Sequence, residues 1–278
     1  MGDCYRLAKP LPSVEKPKGE KLKVLVTGSA GEIGLYFSEH SAEKFDLRLG
    51  FHSEENRSKL EGFGEDFQLD VGDLDRCNEA CRGMDVVVHL AADPSPEAEW
   101  DTLLPINIEG TYNIFKAAKA QGVRRVIYAS SIHAVSGYER DRQVQANDPV
   151  NPGDLYGVTK CFGEALGRLY AEQEGVQCIA VRIGAFQPDS TATDPKQAGL
   201  VDAFVSHRDL TQLLQKAVEA EHLQWAIVHG LSDNTFNRMH LDTARELLGY
   251  EPQDNMAAMN PVTKDLPTHL TSHAAERA

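Results

Sequence analysis

A doubly wound, mainly parallel α/β sheet is the fold this sequence predicts, and three observations carry the prediction. Short apolar runs recur at KVLVTG, LRLG, FQLDV, VVVHLAA, RVIYASS and CIAVRIG. They are continuous rather than alternating, as expected of strands covered on both faces. Segments with helical periodicity separate them, and repeated strand and helix units make the sheet parallel. Gly28, Gly31 and Gly34 follow the apolar stretch Lys23 to Thr27 and open the amphipathic run Ile33 to His40. That order reads as strand, tight turn and helix.

Residues 1–21, with several prolines and charges, read as a flexible arm, and 22–184 hold the core. The segment Asn107 to Gln121 places Ile108, Tyr112, Phe115 and Ala118 on overlapping helical faces, and Gly122 is placed to end it. A long helix is expected from Leu155 to Gln173. The segment FVSHRDLTQLLQKAVEAE predicts a helix from about Ser206, WAIVHGLSD a further strand, and DTARELLGYEPQDN a closing helix capped by Gly249. Residues 185–260 are therefore expected to form a small C-terminal substrate-capping region with the final core elements, followed by a loosely held tail over 261–278. No internal repeat is evident.

Composition narrows the function classes. The 278 residues are 41% hydrophobic, enough for a buried core without a metal or disulfide staple. A formal charge of -14 repels phosphate backbones and anionic lipid, so neither nucleic acid nor membrane is an expected partner. The start has no apolar signal-peptide core, and no run approaches the ~20 residues of a membrane span. A soluble, cytoplasmic protein is expected. The five cysteines are scattered and odd in number, unlike a secreted disulfide framework. Cys77 and Cys81 share a helix face, which reads as packing. No metal-ligand spacing appears, and neither do GxSxG or HExxH, so a metal site and a hydrolase have no motif behind them.

The glycine turn lets a pyrophosphate approach backbone amides at the positive end of a helix. In a Rossmann-type sheet, ligands lie at the carboxyl ends of strands, where Ser130, Ser131 and His133 fall after RVIYA. Tyr156 and Lys160 stand one helical turn apart and can reach the same space. A phenol ionises near pH ~10, and a neighbouring ammonium favours the phenolate. Tyr156 can then accept a hydroxyl proton while Lys160 tunes it and holds the nicotinamide ribose, and Ser131 steadies the reacting oxygen. Alone, each residue reads as surface or loop; together with the glycine turn they read as redox chemistry on a nucleotide. His89 lies in an apolar strand and reads as a satisfied core histidine. His207, Arg208 and Asp209 fit helix capping and packing as well as substrate contact.

TGSAGEIG, DVGD, HLAA, NIEGT and YGVTK together resemble the extended short-chain dehydrogenase/reductase superfamily, which includes sugar-nucleotide epimerases, over about residues 22–255. SSIHAVSGYE, LYGVTKCFGEALGRLY, VRIG, FVSHRDL and LGYEPQDN are similar to uronate dehydrogenases and haloarchaeal NAD-dependent glucose-6-phosphate dehydrogenases. The resemblance implies oxidation of a sugar's anomeric carbon to a lactone. It also implies a cofactor groove formed by Gly28, Ala30, Gly31, Glu32, Ile33, Gly34, Asp70, Val71, Leu90, Ala91, Ala92, Asn107, Tyr156 and Lys160. Asp93, Ser95, Ser131 and His133 are the expected sugar contacts. Relatives pair through the helices after the fourth and fifth strands, so the apolar faces of 107–121 and 156–172 imply a homodimer.

Two departures bear on the substrate. Ile132 stands where uronate dehydrogenases usually have Asn, and GAFQPDSTATDPKQA lacks the arginine that binds their substrate's carboxylate. Lys196, the one cation there, can meet a carboxylate or phosphate as a point charge without arginine's bidentate geometry. The substrate thus stays open among aldose, uronate and sugar phosphate. An NDP-sugar epimerase or reductase is the enzymatic alternative, and a non-catalytic dinucleotide sensor the remaining one. The second strand ends in Gly50, Phe51 and His52 in place of the acid that selects NAD. His52, Ser53 and Arg57 can surround a 2'-phosphate, whereas Glu54 and Glu55 oppose one. The residues lean to NADP or dual use; the resemblance leans to NAD.

Overall fold

A computed structural model describes residues 20–265. The expected tail beyond residue 265, and the expected arm apart from Glu20 and Lys21, lie outside the described residues. Nine strands and nine α-helices follow one another in the described part: β1 (Lys23–Thr27), α1 (Glu32–Ser41), β2 (Asp46–Phe51), β3 (Glu65–Gln68), α2 (Leu74–Cys81), β4 (Val86–His89), α3 (Trp100–Leu103), α4 (Thr111–Gln121), β5 (Arg125–Ser131), α5 (Leu155–Gln173), β6 (Gln177–Ile183), β7 (Ala185–Gln187), α6 (Asp189–Thr193), β8 (Phe204–Ser206), α7 (His207–Glu219), β9 (Trp225–Gly230), α8 (Asp242–Leu248) and α9 (Met256–Met259).

Seven strands form one sheet in the order β3-β2-β1-β4-β5-β6-β9, every pair parallel. Successive residues of β1 point to opposite faces. Val24 and Val26 join a core with Leu49, Val181, Leu210 and Leu213, while Leu25 joins Val87, Ile114, Phe115 and Val126. Both faces are thus dry, which is why the strands read as unbroken apolar runs. The chain reverses direction of winding between β1 and β4, the crevice where such sheets bind ligands.

Expected and observed bounds coincide for α5, and Gly122 and Gly249 end α4 and α8 in left-handed conformation. The expected helix from Asn107 is a correction. Leu104–Gly110 winds in wide π-type turns and α4 begins only at Thr111. Of the four residues read on overlapping faces, Phe115 and Ala118 are buried and Tyr112 is exposed, while Ile114 and Ala117 are also buried. Five short elements went unread in the sequence: α3, α6, the parallel pair β7 and β8, and α9, whose Met256 packs on Ala192 and Phe204.

Candidate active site

The glycine turn lies at the carboxyl end of β1. Gly28 has φ +66°, and a methyl group built on it would meet the Ala91 backbone nitrogen at 2.8 Å. One on Gly34 would sit 2.4 Å from the Gly28 carbonyl oxygen, so these positions let helix, turn and the end of β4 close on one another. Gly31 caps α1 without a side chain, leaving the first amides of α1 free of side-chain caps. Residues 28–34 therefore fit a pyrophosphate.

A buried threonine-histidine pair locks this turn to β4. Thr27 Oγ1 accepts from the amides of Leu90 and Ala91, both at 3.2 Å, so its proton goes to His89 Nδ1 at 2.8 Å. His89 Nε2 then donates to Thr111 Oγ1 at 3.3 Å. Burial lowers the His89 pKa to about 3, so the ring stays neutral. It is the satisfied core histidine expected from the sequence, with the added role of pinning the turn.

Ser131, Tyr156 and Lys160 come together at the carboxyl end of β5, each less than one-tenth exposed. Asp154, two residues before Tyr156, caps α5 by accepting the Gly157 amide at 2.7 Å. Lys160 Nζ donates to the Ala129 carbonyl at 2.9 Å and lies 5.4 Å from the Tyr156 ring centre. Burial pushes the Tyr156 phenol up to about 12; a hydrogen bond from Ser131 works against this, and Asp154 and Asp93 add to it. Burial also pulls Lys160 down to about 7. The expected ammonium-driven fall of the phenol is therefore overturned in this cleft: desolvation outweighs a lysine whose own charge is disfavoured by the same burial.

Asn107 explains the wide turns before α4. Its Oδ1 accepts the Asp93 amide at 2.8 Å, and its Nδ2 donates to the Asp93 carbonyl and to Thr159 Oγ1 at 3.0 and 3.1 Å. Thr159 in turn donates to the Tyr156 carbonyl at 2.7 Å. An α-helix interrupted by a π-type segment re-aims one side chain, here the Asn107 amide, between the β4 loop and α5. Asp93 Oδ1 accepts the Ser95 amide at 2.9 Å, so both expected sugar contacts share one turn at the end of β4.

Other expected residues stand farther apart in environment. Leu90, Ala91 and Ala92 are half-buried at the end of β4, and Ala30 and Ile33 likewise beside the glycine turn, where Glu32 is exposed. Asp70 is exposed and accepts the Gly72 amide at 2.8 Å, while Val71 is buried and its carbonyl accepts from Asn113 Nδ2 at 3.0 Å. His52 is exposed past β2. Arg57 is exposed too, with Nε on Asp66 at 3.0 Å and Nη1 3.8 Å from Glu54, so its fork faces carboxylates. Lys196 is exposed on the turn 195–200, and among the described residues no ion pair joins its ammonium to the β5 cluster.

Behind the cluster lies a network that the sequence reading missed. Glu164 takes a bidentate pair from Arg182, Nε to Oε1 at 2.8 Å and Nη2 to Oε2 at 2.9 Å, and Ser130 Oγ donates to Oε1 at 2.6 Å. Both charged groups are almost fully buried. They brace α5 against β5 and β6. The signal was the spacing Tyr156, Lys160, Glu164, which keeps a carboxylate on the covered stripe of α5. Cys77 and Cys81 are buried with thiols pushed up to about 12 by burial, as packing residues. Among the described residues no group of three or more His, Cys, Asp or Glu is arranged to hold a metal ion, and no helix is long and apolar enough to cross a membrane.

A Rossmann-type sheet with an uncapped glycine turn and a buried Ser-Tyr-Lys cluster at the next strand ends defines an NAD(P)-dependent oxidoreductase acting on CH-OH groups. The chain belongs to the NAD dependent epimerase/dehydratase family, whose model matches residues 24–212. It is 35% identical to the NAD-dependent glucose-6-phosphate dehydrogenase of Haloferax volcanii, over 84% of this chain and 94% of that protein. To the L-arabinose 1-dehydrogenase (NAD(P)(+)) of the same organism it is 34% identical, over 85% and 98%. Among solved structures, uronate dehydrogenase from Agrobacterium tumefaciens, as a tyrosine-to-alanine mutant complexed with NAD, superposes with TM-score 0.76 at 30% identity, covering 92% of this chain and 90% of that one.

Proposed function

We propose that the chain oxidises the anomeric hydroxyl of an aldose, uronate or sugar phosphate to the corresponding lactone, with NAD or NADP as oxidant. The observation that carries this reading is the Ser131, Tyr156 and Lys160 cluster, buried at the end of β5 on the same carboxyl edge of the sheet as the uncapped N-terminus of α1. Residues 28–34, 70–71 and 90–92 would hold the dinucleotide, whose nicotinamide would supply the acceptor for the hydride leaving C1. Ionised to the phenolate, Tyr156 Oη takes the hydroxyl proton as the C1 oxygen becomes a carbonyl. Ser131 donates to that oxygen; in the ligand-free chain the same hydroxyl bonds the phenol and favours its ionisation. Lys160, held by the Ala129 carbonyl, keeps its ammonium beside the phenol and the ribose. Asp93, Ser95 and His133 contact the sugar. Lys196 approaches its far end from the capping region.

For the cofactor we propose dual use. No acid ends β2 to exclude a 2'-phosphate, yet Glu54 and Glu55 just beyond oppose one and Arg57 must leave Asp66 to reach it. The molecule acts as a cytoplasmic homodimer through α4 and α5, whose Tyr112, Val158 and Leu169 are 43%, 45% and 48% exposed. Light scattering that finds only monomer at micromolar concentration overturns the dimer. A screen of aldoses, uronic acids and sugar phosphates with each nicotinamide cofactor, followed by absorbance, tests the activity. Turnover of at least one class to an acid-yielding lactone is expected; none with any class refutes the reading.

A further inference from the structure

His133 is held in a defined orientation by a residue with no expected role in the sequence. Its Nδ1 lies 2.6 Å from Asp154 Oδ2, while the other carboxylate oxygen is committed to the Gly157 amide at 2.7 Å. The His133 amide donates to Ser131 Oγ at 3.2 Å, and the ring stands edge-on to Tyr156 with centres 5.4 Å apart. The side chains of His133 and Asp154 are 31% and 22% exposed. Among the described residues nothing is bonded to His133 Nε2.

We infer that Asp154 is a positioning residue: its carboxylate keeps the proton of neutral His133 on Nδ1, leaving Nε2 as a hydrogen-bond acceptor on a ring packed edge-on against Tyr156. A carboxylate accepts only, so the nitrogen facing it carries the hydrogen and the opposite nitrogen carries the lone pair. The group recognised at Nε2 is therefore a hydroxyl that donates. Since Ser131 and Tyr156 hold the reacting oxygen, that hydroxyl sits on a carbon neighbouring the oxidised one. One residue thus performs two tasks. Asp154 starts the helix that carries Tyr156 and Lys160, and it sets the hydrogen-bond polarity of the sugar pocket. The inference rests on His133 contacting the sugar in the proposed reaction.

Asp154→Asn separates the tasks, because asparagine caps helices about as well as aspartate and offers His133 no fixed negative acceptor. Nitrogen-proton correlation spectra of protein labelled with 15N-histidine report the tautomer directly, without substrate. Wild type is expected to show His133 protonated on Nδ1 near pH 8, and the variant to shift the ring toward Nε2 protonation. With D-glucose, L-arabinose, D-glucuronate and D-glucose 6-phosphate as probes, the variant should lose about tenfold to a hundredfold in kcat/KM, the scale of one hydrogen bond to substrate. Its thermal midpoint and affinity for NADH should stay near wild type. An Nε2-protonated ring in wild type, or a variant with unchanged tautomer and unchanged kinetics, overturns the inference. If no probe is turned over by wild type, the proposed reaction fails while the tautomer measurement still decides the role of Asp154.

Discussion

The two ends of the proposed nucleotide groove each carry a cation near a strand's carboxyl end, and they are built in opposite ways. At β5, Lys160 is 4% exposed, bonded to a backbone carbonyl and packed beneath two tyrosine rings. Past β2, Arg57 has 56% of its side chain in solvent and is tied to carboxylates on a short 3-10 turn. The ion pairs repeat the contrast, since Glu164 and Arg182 are buried and doubly bonded whereas Arg57 and Asp66 meet in water. Burial fixes the geometry where protons move and magnifies each electrostatic effect there. Exposure leaves the adenosine end free to change its selectivity without disturbing the core. In the proposed function, chemistry is thus rigidly set at one end, and cofactor choice is loosely set at the other.

Removing the reacting group is the hardest way to break this comparison. Tyr156→Phe should keep NADH affinity and lower kcat by about a thousandfold, within the usual range for losing a positioned base. A stopped-flow assay with a sugar found active in the screen reads this, and near-normal turnover contradicts the assignment. Removing the brace behind the cluster is next. Glu164→Ala leaves Arg182 buried without its partner, and the expected loss is about 3–5 kcal/mol in urea denaturation. Asp66→Asn, the same cut made at the exposed pair, should leave the midpoint unmoved. Equal losses at the two pairs would erase the distinction between the ends.

Lys160→Met sharpens the comparison through pH. The lysine pKa falls from 10.5 to about 7 on folding, so between those values the unfolded chain binds more protons and stability rises with pH. Below about 7 the penalty of burying the charge is carried in full. Methionine removes it, so the variant should be inactive yet more stable than wild type at pH 7, with a flatter dependence of thermal midpoint on pH from 7 to 10. A less stable variant at neutral pH would show that the bond to Ala129 outweighs the desolvation. The smallest effect belongs to the exposed end: Arg57→Ala should raise KM for NADP a few-fold, about what one exposed charge-assisted bond is worth, leave KM for NAD near wild type and leave stability alone. Equal changes for both cofactors would remove Arg57 from the phosphate site.

The fold was legible because its signals are local. KVLVTGSAGEIG carries strand, turn and helix within twelve residues, and LYGVTKCFGEAL displays both the helix and the spacing of Tyr156 to Lys160. α5 kept its expected bounds because Asp154 caps it and an unbroken periodic stripe follows. Elements set by distant partners were harder to see. β7 and β8 are three residues each and exist by pairing across α6, and α9 is one turn folded onto Phe204. Asn107 is expected from the resemblance in the cofactor groove, but its bracing role is hidden until Asp93 and Thr159, fourteen and fifty-two positions away, claim its amide.

By itself, then, the sequence determined the parallel sheet, the glycine turn and the meeting of Ser131, Tyr156 and Lys160, since periodicity and short spacings act within one or two elements. Only the tertiary structure decided the electrical character of that meeting. It placed Glu164 on Arg182, turned Asp154 toward His133, drew Arg57 onto Asp66 and lifted the Tyr156 phenol to about 12 where the motif alone suggested a lowered value. The physical reason is that desolvation and charge-charge energy depend on distance and burial in space, which residues far apart in the chain jointly create.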